Sequence, residues 1–108
     1  HKVVGRVNEY SGIPYSEDPA IMAWQLCNEP RGIDQKKDFA DWIDTTAGLI
    51  KSLDHNHLVS LGSEGKTYTS FSGNRFKKDH ISAHIDYTTI HIWIQNWGWF
   101  KPEKGEKS

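Results

Sequence analysis

The chain has 108 residues, and 13 Lys+Arg against 14 Asp+Glu leave a formal net charge of −1. So even a balance argues against a nucleic-acid binder and gives no pull toward an anionic membrane surface. No apolar run approaches the roughly 20 residues of a spanning helix. The single Cys27 excludes an internal disulfide framework and a multi-cysteine zinc site.

Residues 1–9 read as the end of a helix, because Val3, Val4 and Val7 share one face. They lack the apolar core of a secretory leader, and no initiator Met precedes them. The expectation is a segment of a longer protein. Ser11–Pro14 and Ser16–Pro19 are punctuated by Gly and Pro and read as loop. Ile21–Cys27 is a short, nearly continuous apolar run flanked by Pro and Gly, which suits a strand buried on both faces. Asn28-Glu29-Pro30-Arg31-Gly32 ends it abruptly.

The spacing predicts a helix over 34–53. Phe39, Trp42, Ile43, Thr46, Ala47, Ile50 and Leu53 trace one stripe, and Asp34 is a candidate N-cap. Asp54-His55-Asn56 is a turn, with His55 and His57 read as turn residues; 57–61 is a second strand, stopped by Gly62. Residues 62–79 are polar and read as loop, with a helical turn around Phe76. Tyr87–Ile94 is the predicted third strand, rich in β-branched and aromatic residues. The aromatic loop Asn96–Phe100 and a frayed, charged tail, Lys101–Ser108, follow.

Strands alternating with a helix indicate an α/β fold with a parallel sheet. Three strands are too few for a closed barrel, which takes about 250 residues. In such sheets, functional groups collect where strands end. Here the ends offer Asn28 and Glu29, then Ser63 and Glu64, then His91 and Trp93 on alternate positions, and beyond them Gln95, Asn96, Trp97 and Trp99. Indole faces stack on sugar C–H faces, and carboxylates and amides bind hydroxyls, so this inventory suits a carbohydrate site. Trp24 and Trp42 read as core, Cys27 as a small buried hydrophobe, and Arg31 as a brace for the loop after the first strand. His80 and His84 have the i, i+4 spacing of paired metal ligands, but no third ligand has motif spacing, so no metal site is assigned.

The stretch Ile21-Met22-Ala23-Trp24-Gln25-Leu26-Cys27-Asn28-Glu29-Pro30-Arg31 resembles the fourth-strand signature of glycoside hydrolase family five. Tyr15–Pro19, Leu61-Gly62-Ser63-Glu64-Gly65 and Thr89–Trp99 extend the resemblance, in order, to the family's endo-β-1,4-mannanases over roughly residues 6 to 100. It implies a partial (β/α)8 TIM barrel, with residues 1–108 forming one segment of the catalytic domain, truncated at both ends and covering strands four to six. It further implies that Glu29 is the general acid/base, that Asn28 binds the sugar 2-hydroxyl, and that His91 lies in the −1 subsite. The family commonly has Tyr two residues after that His, where this chain has Trp93. Glu64 is expected to bind substrate or orient its neighbours, and at least one of Trp93, Trp97 and Trp99 to stack on sugar. The nucleophile, a Glu at the seventh strand end, falls outside this chain, so the isolated chain is expected to be inactive. The expected function is cleavage of β-1,4-mannan or glucomannan with retention, without a cofactor. The expected partner is a polysaccharide, with no nucleic acid or membrane, in a secreted or periplasmic setting. The alternatives are a β-1,4-glucanase of the same family and a non-catalytic carbohydrate-binding segment.

Overall fold

A computed structural model describes residues 2–67 and 70–99. Phe100, the expected frayed tail and part of the polar loop lie outside the described residues. The element order is a 3-10 turn at Tyr15–Glu17, strand β1 (Ala23–Gln25), helix α1 (Lys36–Leu53), strand β2 (Leu58–Ser60), a 3-10 turn at Ser70–Ser72 and the short helix α2 (Phe76–Asp79).

The two strands pair in parallel, with Ala23 opposite Leu58, Trp24 opposite Val59 and Gln25 opposite Ser60. A parallel pair needs a crossover, and α1 supplies it. Ile43 and Ala47 of α1 are buried with Val59 and Leu61, which makes the centre of the core. Of the rest of the predicted stripe, Phe39, Thr46, Ile50 and Leu53 are half-buried. Trp42 is not: it is 38% exposed and stacks on Phe39 at a ring separation of 5.7 Å. The N-cap position belongs to Gln35 rather than Asp34, and no side chain caps the helix there.

Three further expectations are corrected. The first residues form a hairpin, not a helix end: Val7 bridges Pro14 in antiparallel fashion. Asn8 drives that turn, since its Oδ1 accepts the Tyr10 amide at 2.9 Å. Its carbonyl also accepts the Gly12 amide at 2.8 Å. The third strand shrinks to one parallel bridge, Tyr87 to Ser60. Beyond it a side chain interrupts the ladder, with Thr89 Oγ1 donating to the Ser63 carbonyl at 2.7 Å. Pairing resumes once, where the His91 amide donates to the Glu64 carbonyl at 2.9 Å. Cys27 is exposed, not buried. It sits past the end of β1, whose other edge has no neighbouring strand among the described residues.

At the opposite end of the sheet from the strand termini lies a buried polar knot. Asp54 closes α1, and its Oδ2 accepts Trp24 Nε1–H at 2.6 Å and pairs with His57 Nδ1 at 2.7 Å. Its Oδ1 takes the amides of Asn56 at 2.8 Å and His57 at 3.0 Å. His57 Nε2 faces the Asp18 carbonyl at 3.0 Å. His57 is thus a buried joint between α1, β2 and the loop before β1, more than the turn residue the sequence suggests. Burial alone would push the Asp54 carboxyl up, but these four hydrogen bonds bring it down to about 2. The Asp54 hydrogen bond raises the His57 pKa against its burial.

Candidate functional site

Beyond β1 and β2 the chains stay hydrogen-bonded while they turn. The Leu26 amide donates to Ser60, Cys27 to Leu61 at a long 3.4 Å, and Glu29 to the Gly62 carbonyl at 2.9 Å. Glu29 adopts φ +50° and Ile33 φ +45°, a left-handed backbone that costs a non-glycine residue about 1–2 kcal/mol. The Glu29 side chain reaches the stretch predicted as the third strand. There Oε1 lies 2.6 Å from His91 Nδ1. Both side chains are about 30% exposed, so the pair is open to solvent on one side. A cavity of about 310 Å3 is lined by Asn28, Glu29, His91, Ile92 and Trp93. His91 and Trp93 both line this cavity, but so does Ile92 between them, so the strand alternation expected from the sequence is not what brings them together.

A second cavity of about 660 Å3 adjoins the first through His91 and Ile92, with Glu64, Lys66, Thr67, Ile90, Trp97 and Trp99 around it. Trp97 and Trp99 meet edge to face at 4.9 Å. This wall arises from a turn closed by the Trp97 amide donating to the Trp93 carbonyl at 2.9 Å. Gln95 and Asn96 are exposed in that turn and line neither cavity.

Glu64 is held by three hydrogen bonds from two residues. Arg31 donates from Nε and from Nη2 to its two carboxylate oxygens, both at 2.8 Å. Asn74 Nδ2 donates to Oε1 at 2.9 Å. The fork joins the loop after β1 to the loop after β2, so Arg31 is the brace the sequence suggests. The hydrogen bonds and charge of Glu64 also raise the Arg31 pKa further. Asn74, Lys66 and Thr67 carried no signal beyond polar loop composition. His80 and His84 take other duties: His80 Nδ1 is 2.6 Å from the Phe76 carbonyl, and the His84 ring packs near Gly48 of α1.

A family model described as GH family 5 beta-mannosidase-like matches residues 1–108. The chain belongs to this family, glycoside hydrolase family 5. Among its relatives, mannan endo-1,4-beta-mannosidase 1 of Solanum lycopersicum is 37% identical over 111 residues, covering 89% of this chain and 28% of the tomato protein. The endo-beta-1,4-mannanase of Thermotoga petrophila superposes with a TM-score of 0.79 at 33% identity, over 94% of this chain and 26% of that one. A variant of the family 5 mannosidase from Rhizomucor miehei, in complex with mannosyl-fructose, superposes at 0.72 with 36% identity, over 96% of this chain and 23% of that one. The chain therefore spans about a quarter of the length of these relatives. Its small parallel sheet with helix α1 is a partial family 5 (β/α)8 barrel, which accounts for the open strand edge beside Cys27.

Proposed function

We propose that residues 1–108 are the acid/base portion of a longer (β/α)8 catalytic domain that cleaves β-1,4-mannan or glucomannan with retention. The single observation that carries this is the Glu29–His91 hydrogen bond of 2.6 Å in an indole-walled cavity at the strand ends. With Oε1 accepting from Nδ1–H, a protonated Glu29 carries its hydrogen on Oε2. That oxygen has no partner among the described residues, so it can donate to a leaving glycosidic oxygen. The same carboxylate then takes a proton from the water that hydrolyses the glycosyl-enzyme. A nucleophile about 5–5.5 Å away is required, and in this reading it comes from the part of the barrel outside this chain.

Asn28 is suited to hold the hydroxyl beside the cleaved bond. Trp93 supplies an apolar wall where a Tyr would supply a hydroxyl. The Trp97 and Trp99 cavity has room for further sugar units. The bidentate Arg31 fork and the Asn74 hydrogen bond on Glu64 support an orienting role for it rather than attack on substrate. The mannan specificity rests on the named relatives, and a polymeric substrate favours a secreted or periplasmic setting. The test is release of reducing ends from mannan and from cellulose by the complete barrel. Mannan turnover that Glu29→Gln abolishes is expected, while equal turnover of both polymers, or an active Glu29→Gln variant, would overturn the reading.

A further inference from the structure

We infer that Gly62 is a positioning residue for proton donation by Glu29. This deepens the reading above and rests on it. Glu29 is held against two local preferences at once. Its φ of +50° is left-handed, and it precedes Pro30, a place where the chain prefers extended backbone. Such a conformation persists only where its surroundings over-determine it. The nearest restraint is the 2.9 Å hydrogen bond from the Glu29 amide to the Gly62 carbonyl.

Gly62 can present that carbonyl because it lacks a side chain. Its own φ is +81°, and a Cβ there would collide with the Cys27 carbonyl oxygen and lie 2.6 Å from Gln25 Cγ. The two backbones pass too closely for any other residue. The same device recurs at the far end of the loop. Ile33, at φ +45°, donates its amide to the Ser72 carbonyl at 3.2 Å. A Cβ on Gly73 would strike the Ile33 backbone. Between the two clasps the Arg31–Glu64 fork ties the same loops together. The loop after β2 is thus a template on which the loop carrying Glu29 is pressed into shape. Its contact at Gly62 sets the direction of the Glu29 carboxyl. Without it, Glu29 relaxes to extended backbone and the carboxyl leaves His91.

The experiment has two arms, both in the complete barrel. The first is Gly62→Ala, assayed on mannotetraose and on 2,4-dinitrophenyl β-mannobioside, whose leaving group departs without protonation. A misaimed acid lowers kcat/KM about a hundredfold on mannotetraose, within the usual worth of general acid catalysis. It leaves kcat/KM on the activated substrate nearly unchanged. Equal losses on both substrates, or none on mannotetraose, would overturn the inference. The second arm needs no activity and stands if Gly62→Ala fails to fold. Glycine adopts φ +50° freely and alanine does not, so Glu29→Gly melts about 2 °C or more above Glu29→Ala. The reverse order would show that the backbone at 29 is not held left-handed and would sink the inference. An active Glu29→Gln variant would instead remove the reading on which the inference rests.

Discussion

Replacing Asp54 with asparagine tests the buried knot at the base of the sheet. Oδ2 accepts Trp24 Nε1–H and faces His57 Nδ1, and Oδ1 accepts two backbone amides. Four donors converge on one carboxylate. An asparagine must turn its NH2 toward one of these donor pairs, so either orientation sets donor against donor. The gap between the ordinary Asp54 value of 3.8 and about 2 in the fold, at 1.36 kcal/mol per pH unit, is about 2 kcal/mol. The unmet donors and a His57 imidazolium without its counter-charge bring the total to about 2–4 kcal/mol. At about 2 °C per kcal/mol for a large domain, Tm falls by at least about 4 °C at pH 5.5.

The pH dependence carries a sign that can be checked. The depressed Asp54 contributes stability that is present above about pH 4 and lost as pH falls toward about 2. The raised His57 contributes stability that is present below its ordinary 6.5 and lost as pH rises through its elevated value. The unmodified protein therefore has its largest contribution from the knot between about pH 4 and 6.5. Thermal melts of the complete barrel and of Asp54→Asn from pH 2 to 9 read both limbs. The variant loses the acid limb contributed by this carboxylate and weakens the alkaline one. An unchanged Tm at pH 5.5 together with an unchanged acid limb would refute the reasoning.

Three other outcomes are expected. Separating Arg31 from Glu64 through Arg31→Ala, Glu64→Gln and the double variant gives a coupling of about 1 kcal/mol, since the fork is bidentate but Arg31 is 47% exposed; additive effects in a double-mutant thermal series would dismiss the fork as a brace. Trp97→Ala raises KM for mannan oligosaccharides more than it lowers kcat, by about five- to tenfold, because stacking binds ground and transition states alike; a pure kcat loss in steady-state kinetics would contradict that. The 108-residue chain alone associates in light scattering, because Met22 is 71%, Ile90 58% and Ile92 54% exposed and the outer edge of β1 has no neighbouring strand among the described residues; a sharply melting monomer would count against this.

Much of the fold was legible where local pattern and tertiary role agree. The α1 stripe faces its core through Ile43 and Ala47, and the apolar run at 21–27 does contain β1, although β1 is half-buried with Gln25 exposed rather than buried on both faces. The failures lie where non-local partners decide. Trp42 has the period of a core residue, yet it ends up stacked on Phe39 at the surface. Tyr87–Ile94 has strand composition, yet Thr89 caps the Ser63 carbonyl in place of a ladder. At the site, Asn28, Glu29, His91 and Trp93 do line one cavity, but Ile92 lines it too, so strand alternation is not the reason. The left-handed turn at Glu29 was hidden, because Pro30 argues for extended backbone there. The Asp54–His57 joint was hidden too, because a three-residue separation inside a turn looks the same whether the turn is buried or wet.

The acid/base assignment is tested most directly by the product that a Glu29→Ala barrel makes from an activated β-mannoside in sodium azide. Azide needs no base to attack the glycosyl-enzyme, so turnover that is slow without azide recovers with it, and the product is the β-glycosyl azide. An α-glycosyl azide would make Glu29 the nucleophile instead, and full activity without azide would remove it from the chemistry altogether.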